Sequence, residues 1–336
     1  MSRHVYQSSK GGAQHVPLEV SCGIIGHANT PRFAKTLSWK YAHLPSEKVE
    51  EDLRENHGRS VSRSHIQKTS YEVGALVSAC EAAYPIGVKP SEVYAVSIGR
   101  DGTMLSLVEE GYREAMVGTL SLLNANREVL HTIYLADAPE YGKEKFNQMM
   151  DREINTLLSA YPHALVSGLA DGSAHNWTFL SKYTDNLIVD WWHAWGYIRH
   201  AIEEITSPKR QQKRLDYWQK RLQGEEQSVH HLYAYLQRKA NAYKKVGKFP
   251  ERLHQCLSYL KTHAPKMNYA LYLEEGFLIG SGITESACKT VIKQRFCGAG
   301  MQWTGDNVAL LAPMRALVLT PQRWKQVWQK LAKSAA

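Results

Sequence analysis

A chain of 336 residues with 43% hydrophobic residues is long enough to bury a sizeable core, and nothing in its composition suggests disorder or low complexity. No apolar run approaches the roughly 20 residues of a membrane span and the N-terminus carries no secretory apolar segment, so a cytoplasmic protein with no membrane partner is expected. Five scattered cysteines without a C-x-x-C pair argue against a disulfide framework or a structural zinc site, while 41 Lys and Arg against 32 Asp and Glu, a net charge of +9, favour a polyanionic partner, nucleic acid first.

Residues 1–29 read as an irregular segment, with Ser8-Ser9, Gly11-Gly12 and scattered polar residues. From Thr30 the pattern turns helical: TPRFAKTLSWKYAHL runs up to Pro45, and SEKVEEDLREN opens with Ser46 as the expected N-cap and has Val49 and Leu53 four apart. His57-Gly58-Arg59 reads as a turn, and SVSRSHIQKTSYEVGAL as the next helix, capped by Ser62. Two short helices about a glycine turn fit a helix-turn-helix spanning residues 30–88. Arg59 in its turn and Arg63, His65, Gln67 and Lys68 on its second helix are the candidate DNA contacts. A helical hairpin with a solvated basic face fits the same text equally well.

Residues 89–205 hold the strand signals. VYAVSIGRDGTMLSLVEE, AMVGTLSLLNA and EVLHTIYLADA are β-rich, the last two hinged at Asn124-Ala125-Asn126, and Arg100-Asp101-Gly102 is expected to interrupt the first. A helix follows at about 143–161, with Phe146, Met150, Ile154 and Leu157 at helical spacing. Then come strand ALVSGLAD, ending in Asp171-Gly172, a short helix at 173–181 and strand NLIVDWW. The order β-β-β-α-β-α-β resembles that of the ribonuclease H-like fold, an α/β architecture with a mixed sheet and flanking helices.

Between residues 206 and 276 the text becomes helical, charged and aromatic, with breaks at Gly224 and near Gly247. It reads as an all-helical insertion whose Lys and Arg, interleaved with Tyr217, Trp218, Tyr233, Tyr235 and Tyr243, either grip DNA or decorate a solvated bundle. Residues 277–336 would complete the domain that the insertion splits. They open with GSGITESACK, which sets Glu285 in the first turn of a helix, where the backbone dipole tolerates a negative charge. Lys289, Lys293 and Arg295 follow on the same element as candidate phosphate contacts. Alone, this is an ordinary helix start with a charged face. Together with Asp101 and Asp171, each beside a glycine in a strand context, it matches what a two-metal phosphoryl-transfer site needs.

Residues 30–331 resemble the bacterial insertion-sequence transposases of the DDE class, and within them the ISKra type. Four places carry the likeness: the helix-turn-helix-like PRFAKTLSWKYAHLPSEKVEEDLRENHGRSVSRSHIQ, the Asp101 strand, LADGSAHNW with Asp171, and the long block GSGITESACKTVIKQRFCGAGMQW and its continuation. The resemblance implies a catalytic triad of Asp101, Asp171 and Glu285 holding two Mg2+ ions, for which Mn2+ can substitute, with Asp101 bridging both. It implies strand cleavage and transfer on double-stranded DNA, at terminal inverted repeats and a target, by a homo-oligomer that bridges two ends. It also matches DWWH, residues 190–193, to an Asp/Cys-x-x-His element, which gives His193 a role toward the scissile phosphate or a metal-bound water. A hydrogen-bonded structural histidine among Trp191, Trp192 and Trp195 is the competing reading. Asp171 follows Asp101 by 70 residues and Glu285 follows Asp171 by 114, which leaves room for the intervening elements and the insertion. Because Mg2+ prefers hard oxygen ligands, Cys288 is expected to serve packing alone. Trp303 is read as a base-stacking platform or a core residue. Two other functions fit the same scaffold: a DNA-binding protein without chemistry, and a metal-dependent nuclease that cuts but does not join.

Overall fold

Helices open the chain. The computed structural model describes residues 4–12, 16–26, 29–80, 84–140 and 142–334, so the irregular reading of residues 1–29 lies outside the described residues at 1–3, 13–15 and 27–28. A short helix, α1 (Pro17–Ser21), precedes α2 (Pro31–His43), α3 (Ser46–His57) and α4 (Arg63–Ala79). Thr30 caps α2 by accepting the Phe33 N–H, and Pro31 stands at the first turn, where a missing N–H costs nothing. Ser62 caps α4 through the His65 N–H, as the sequence suggests. The start of α3 differs from expectation. Pro45, extended at φ −59° and ψ 151°, occupies the entry position itself, and Ser46 instead accepts from Gln67 Nε2 of α4 at 3.2 Å. Gly58 closes α3 in the left-handed region at φ 59°, its N–H and that of Arg59 returning to the carbonyls of Arg54 and Leu53.

The sheet follows as β1 (Ala95–Leu107), β2 (Gly111–Leu123) and β3 (Val129–Asp137), then α5 (Glu144–Ala160), β4 (Leu165–Ala170), α6 (Ala174–Leu180), β5 (Leu187–Val189) and α7 (Trp191–Ile205). Its order is β3-β2-β1-β4-β5, with β1, β2 and β3 antiparallel and β1, β4 and β5 parallel. The architecture is therefore α/β with a mixed five-stranded sheet flanked by helices. Asn124 builds the expected hairpin turn, its Oδ1 accepting the N–H groups of Asn126 and Glu128.

Two strand boundaries correct the sequence reading. Arg100-Asp101-Gly102 does not interrupt β1, which stays in register with β2 and sets Asp101 opposite Val117. What stops there is the parallel pairing with β4, whose last partners are Gly99 and Leu169. Likewise β5 ends at Val189, and Asp190 caps α7 rather than continuing the strand.

Both faces of the sheet are covered, as mixed strands with long apolar runs require. On one face Val96, Ile98, Leu120 and Ile133 pack on Phe146, Met150 and Ile154 of α5 and on Phe179 and Leu180 of α6. Residues 206–276 are helical as expected: α8 (Pro208–Gly224), α9 (Ser228–Lys245), α10 (Glu251–His263) and α11 (Tyr269–Glu274). They share a core with β5 and α7 through Ile198, Ile202, Trp218, Leu232, Leu253 and Leu260. The chain then forms one continuous helical run, α12 (Gly282–Ala287), a π-helical turn (Cys288–Lys293) and α13 (Gln294–Phe296), followed by α14 (Gly305–Leu319) and α15 (Arg323–Ser334). Leu37, Ile66 and Val73 of α2 and α4 lie in one core with Leu105, Leu311, Met314 and Val327, so the N-terminal helices are seated on the C-terminal ones. Gly74 makes this approach possible, since a Cβ there would stand 2.7 Å from the Leu310 carbonyl oxygen. Among the described residues no helix is long and apolar enough to cross a membrane.

Candidate active site

Alternation along β1 sends neighbouring side chains to opposite faces. Gly99 and Asp101 face α12 and the π-helical turn, while Arg100 turns the other way, onto the rings of Phe146 and Phe179 at 5.4 and 4.6 Å. Gly99 is what lets α12 lie so close. A Cβ at Gly99 would fall 2.0 Å from Thr284 Oγ1 and 2.5 Å from Thr119 Oγ1, two hydroxyls bonded to each other at 2.7 Å. Thr284 precedes Glu285, so this contact fixes the height of the acid above the sheet.

Asp101, Asp171, Asp190, His193 and Glu285 line one cavity of about 130 Å³. The three acids nominated from sequence thus meet in space, one from β1, one just past the end of β4 and one from α12. Asp101 has its pKa pushed up, chiefly by burial and then by the like charges of Asp171 and Glu285. The Gly102 N–H at 2.7 Å and the Cys288 thiol partly offset this, and among the described residues no lysine or arginine counters it. Asp171 Oδ1 accepts the Ser173 N–H at 3.2 Å and Asn176 Nδ2 at 3.4 Å, and Asn176 also reaches the Arg100 carbonyl at 3.4 Å. One buried amide therefore ties the Asp171 turn to β1.

Asp190 is the link that holds Glu285 in place. It is fully buried, and its two oxygens accept the His193 N–H, at 2.6 Å, and the Ser281 N–H. With Trp191 N–H bonded to the Ile279 carbonyl at 2.8 Å, it pins the start of α7 to the Gly-Ser-Gly segment that launches α12. His193 leaves its ring exposed at the cavity, edge-on to Tyr197 at 5.6 Å and near Tyr259 at 6.0 Å. Tyr259 stacks on Tyr197 at 4.3 Å and donates to the Asp171 carbonyl at 3.4 Å. Burial first, then its tyrosine and acidic neighbours, pushes the Tyr259 hydroxyl pKa up. The helical insertion thus reaches the Asp171 turn through Tyr259 of α10, a contact between segments distant in the chain.

Cys288 does more than pack. Its thiol, half a helical run below Glu285 and buried, donates to Asp101 Oδ2 at 3.6 Å, and burial together with the Asp101 charge pushes its own pKa up. Lys289 and Lys293 are exposed on the same helical run as Glu285. Arg295 is not available to phosphate. It is 2% exposed, donates to the Tyr41 carbonyl at 2.9 Å and lies against Tyr41 and Trp303 at 4.6 and 4.9 Å, because the π-helical turn rotates it inward toward α2. Trp303 is a core residue, its indole N–H donating to the Phe296 carbonyl at 3.1 Å.

The basic residues of the N-terminal helices are partly engaged inside the protein. Arg63 pairs with Glu50 at 2.8 Å and Glu47 at 3.5 Å, and His65 bonds Asn29 Oδ1 at 2.9 Å. Arg59 lies over Phe33 at 5.1 Å and Lys68 is exposed. Arg59 and Lys68 are therefore freer to meet a ligand than Arg63 and His65.

Among the described residues no group of three or more His, Cys, Asp or Glu stands ready-made as a metal site. Asp101, Asp171 and Glu285 nonetheless share one cavity. No protein-family model matches the chain, and no curated protein matches it either.

Proposed function

We propose that the protein is a DNA transposase of the DDE class, with a ribonuclease H-like catalytic core, that cleaves and joins strands at the ends of its own insertion sequence. The observation that carries this reading is the convergence of Asp101, Asp171 and Glu285, far apart in sequence, on one cavity beside the end of the parallel strands. The strand order β3-β2-β1-β4-β5 and the helical insertion before α12 support it further.

The donor set fits Mg2+. Three carboxylates offer hard oxygens, and Asp101 is crowded by two like charges with no cation among the described residues to offset them. Asp101, Asp171 and Glu285 would hold two such ions, and Mn2+ in their place. Bound there, the ions supply Lewis acidity toward the phosphodiester and its attacking hydroxyl.

The chain's own residues do the positioning. Asp101 sits on a paired strand that cannot shift without breaking the ladder with β2. Asn176 and the Ser173 N–H orient Asp171, and the Cys288 thiol orients Asp101 Oδ2. Asp190 and the Gly99–Thr284 contact set Glu285. His193 donates to a non-bridging oxygen of the scissile phosphate, its ring braced by Tyr197 and Tyr259, and Lys289 and Lys293 neutralise phosphates along the strand. The protein works on double-stranded DNA as a homo-oligomer that brings two ends together.

The test is strand joining. Protein, Mg2+, DNA carrying the element's own ends and a plasmid target should yield covalently joined products. Cut ends without joined products favour a nuclease, and intact DNA with tight end binding favours a binding protein that lacks chemistry.

A further inference from the structure

We infer that a second cavity, basic and on the opposite face of β1 from the three acids, is a phosphate subsite for a nucleic-acid strand. It has a volume of about 190 Å³ and is lined by Arg100, Lys143, Asn147, His175, Thr178 and Lys182. The assignment deepens the transposase reading and rests on it for the identity of the strand.

Arg100 carries the inference. It is 3% exposed, and among the described residues its Nε and Nη1 have no hydrogen-bond partner. A buried guanidinium with two unpartnered nitrogens is costly, and the Phe146 and Phe179 rings and the charges of Asp151 and Glu114 offset only part of that cost. The acids that act on it are Asp151 and Glu114, and both are already engaged: Glu114 by Lys143, Asp151 by the Tyr183 hydroxyl and by Lys182 at 3.9 Å. The rings of Phe146 and Phe179 hold the guanidinium in place before any ligand arrives.

Phosphate is the anion that suits these groups. The guanidinium fork takes two oxygens of a tetrahedral anion, while the lysines at the rim and the His175 ring offer donors to the others. Arg100 borders both this cavity and the acidic one. A strand crossing the end of the sheet there presents one phosphodiester to the acids and another to Arg100. Such a contact positions the strand without reading its sequence.

The experiment reads binding alone, with Mg2+ omitted, so loss of cleavage leaves it unaffected. Melting temperature is followed as inorganic phosphate replaces chloride at constant ionic strength, and fluorescence anisotropy gives the affinity of a short single-stranded oligonucleotide. Wild type should show a saturable rise in melting temperature with phosphate that Arg100→Met lacks. Arg100→Met should be no less stable than wild type without phosphate, and should bind the oligonucleotide roughly 10- to 100-fold more weakly, the worth of hydrogen bonds to a charged group. Lys182→Ala, at the rim, should weaken binding several-fold and keeps the test open if Arg100→Met does not fold. A wild-type melting temperature that ignores phosphate overturns the site. A phosphate response with unchanged oligonucleotide affinity in both variants overturns the nucleic-acid assignment and leaves a free-anion site. If DNA is never cut, yet its binding depends on Arg100, the subsite stands and only the catalytic reading falls.

Discussion

Cys288 Sγ lies 3.6 Å from Asp101 Oδ2, so a thiol near the start of the π-helical turn donates to the acid that Asp171 and Glu285 crowd. Asp101 thus receives only a weak sulfur donor and one backbone N–H where a stabilising site would supply a cation. Such a site is built against stability, as functional carboxylates often are.

Asp101→Asn should therefore melt at a higher temperature than wild type at neutral pH while losing strand cleavage. The sign follows from linkage. Burial and like charges raise the folded pKa of Asp101, so the folded chain keeps this proton at pH values where the unfolded chain has lost it. The contribution is most favourable below the ordinary aspartate value and falls as pH rises through the raised folded value. Urea midpoints at pH about 4 and at neutral pH should show the variant's advantage growing with pH. An advantage that is absent at neutral pH, or that shrinks as pH rises, would contradict the crowding.

Gly99→Ala should cost about 1–3 kcal/mol of stability, the usual penalty for overpacking, and lower cleavage by about 100-fold by shifting the acid on α12. The new Cβ meets Thr284 Oγ1 at 2.0 Å, so Thr284→Ala in the same chain should recover part of both losses. A double-mutant cycle reads this coupling, expected at roughly 0.5–3 kcal/mol. Strict additivity would mean that Gly99 does not set the position of α12.

Three cations on one helical run should separate by role. Arg295→Ala should destabilise by about 2–4 kcal/mol, since it strips a buried carbonyl of its donor and opens space among rings. Lys289→Ala and Lys293→Ala should leave stability within about 0.5 kcal/mol but weaken DNA binding and reduce its salt slope by about one each. Urea melts and salt titrations of DNA affinity distinguish these outcomes.

Local pattern announced β1 to β3 as β-rich apolar runs and α5 by apolar residues recurring every three or four, while the short helix α1 at Pro17–Ser21 lay in a segment that read as irregular. The acids were legible because each stands beside a glycine or in a helix start. What stayed hidden depends on contacts between distant segments. Asp101 looked like a strand break because its neighbours are polar, yet both faces of β1 are covered there and the polar run is simply the site. Arg295 looked like a phosphate ligand because it follows two exposed lysines, and only the extra residue of the π-helical turn rotates it inward. Neither Tyr259 nor Arg100 carried a signal, since one belongs to the insertion and the other owes its importance to what it fails to bond.

The most direct test of the account is single-turnover cleavage of DNA bearing the element's ends in Mg2+, comparing wild type with Glu285→Gln, Asp171→Asn and Asp101→Asn. Each variant is first shown to fold and to bind the same DNA. The account predicts that all three lose cleavage, and that the joining which follows it disappears with it. Cleavage at the wild-type rate in a folded Glu285→Gln variant would contradict it, because the convergence of these three acids would then have no part in the chemistry.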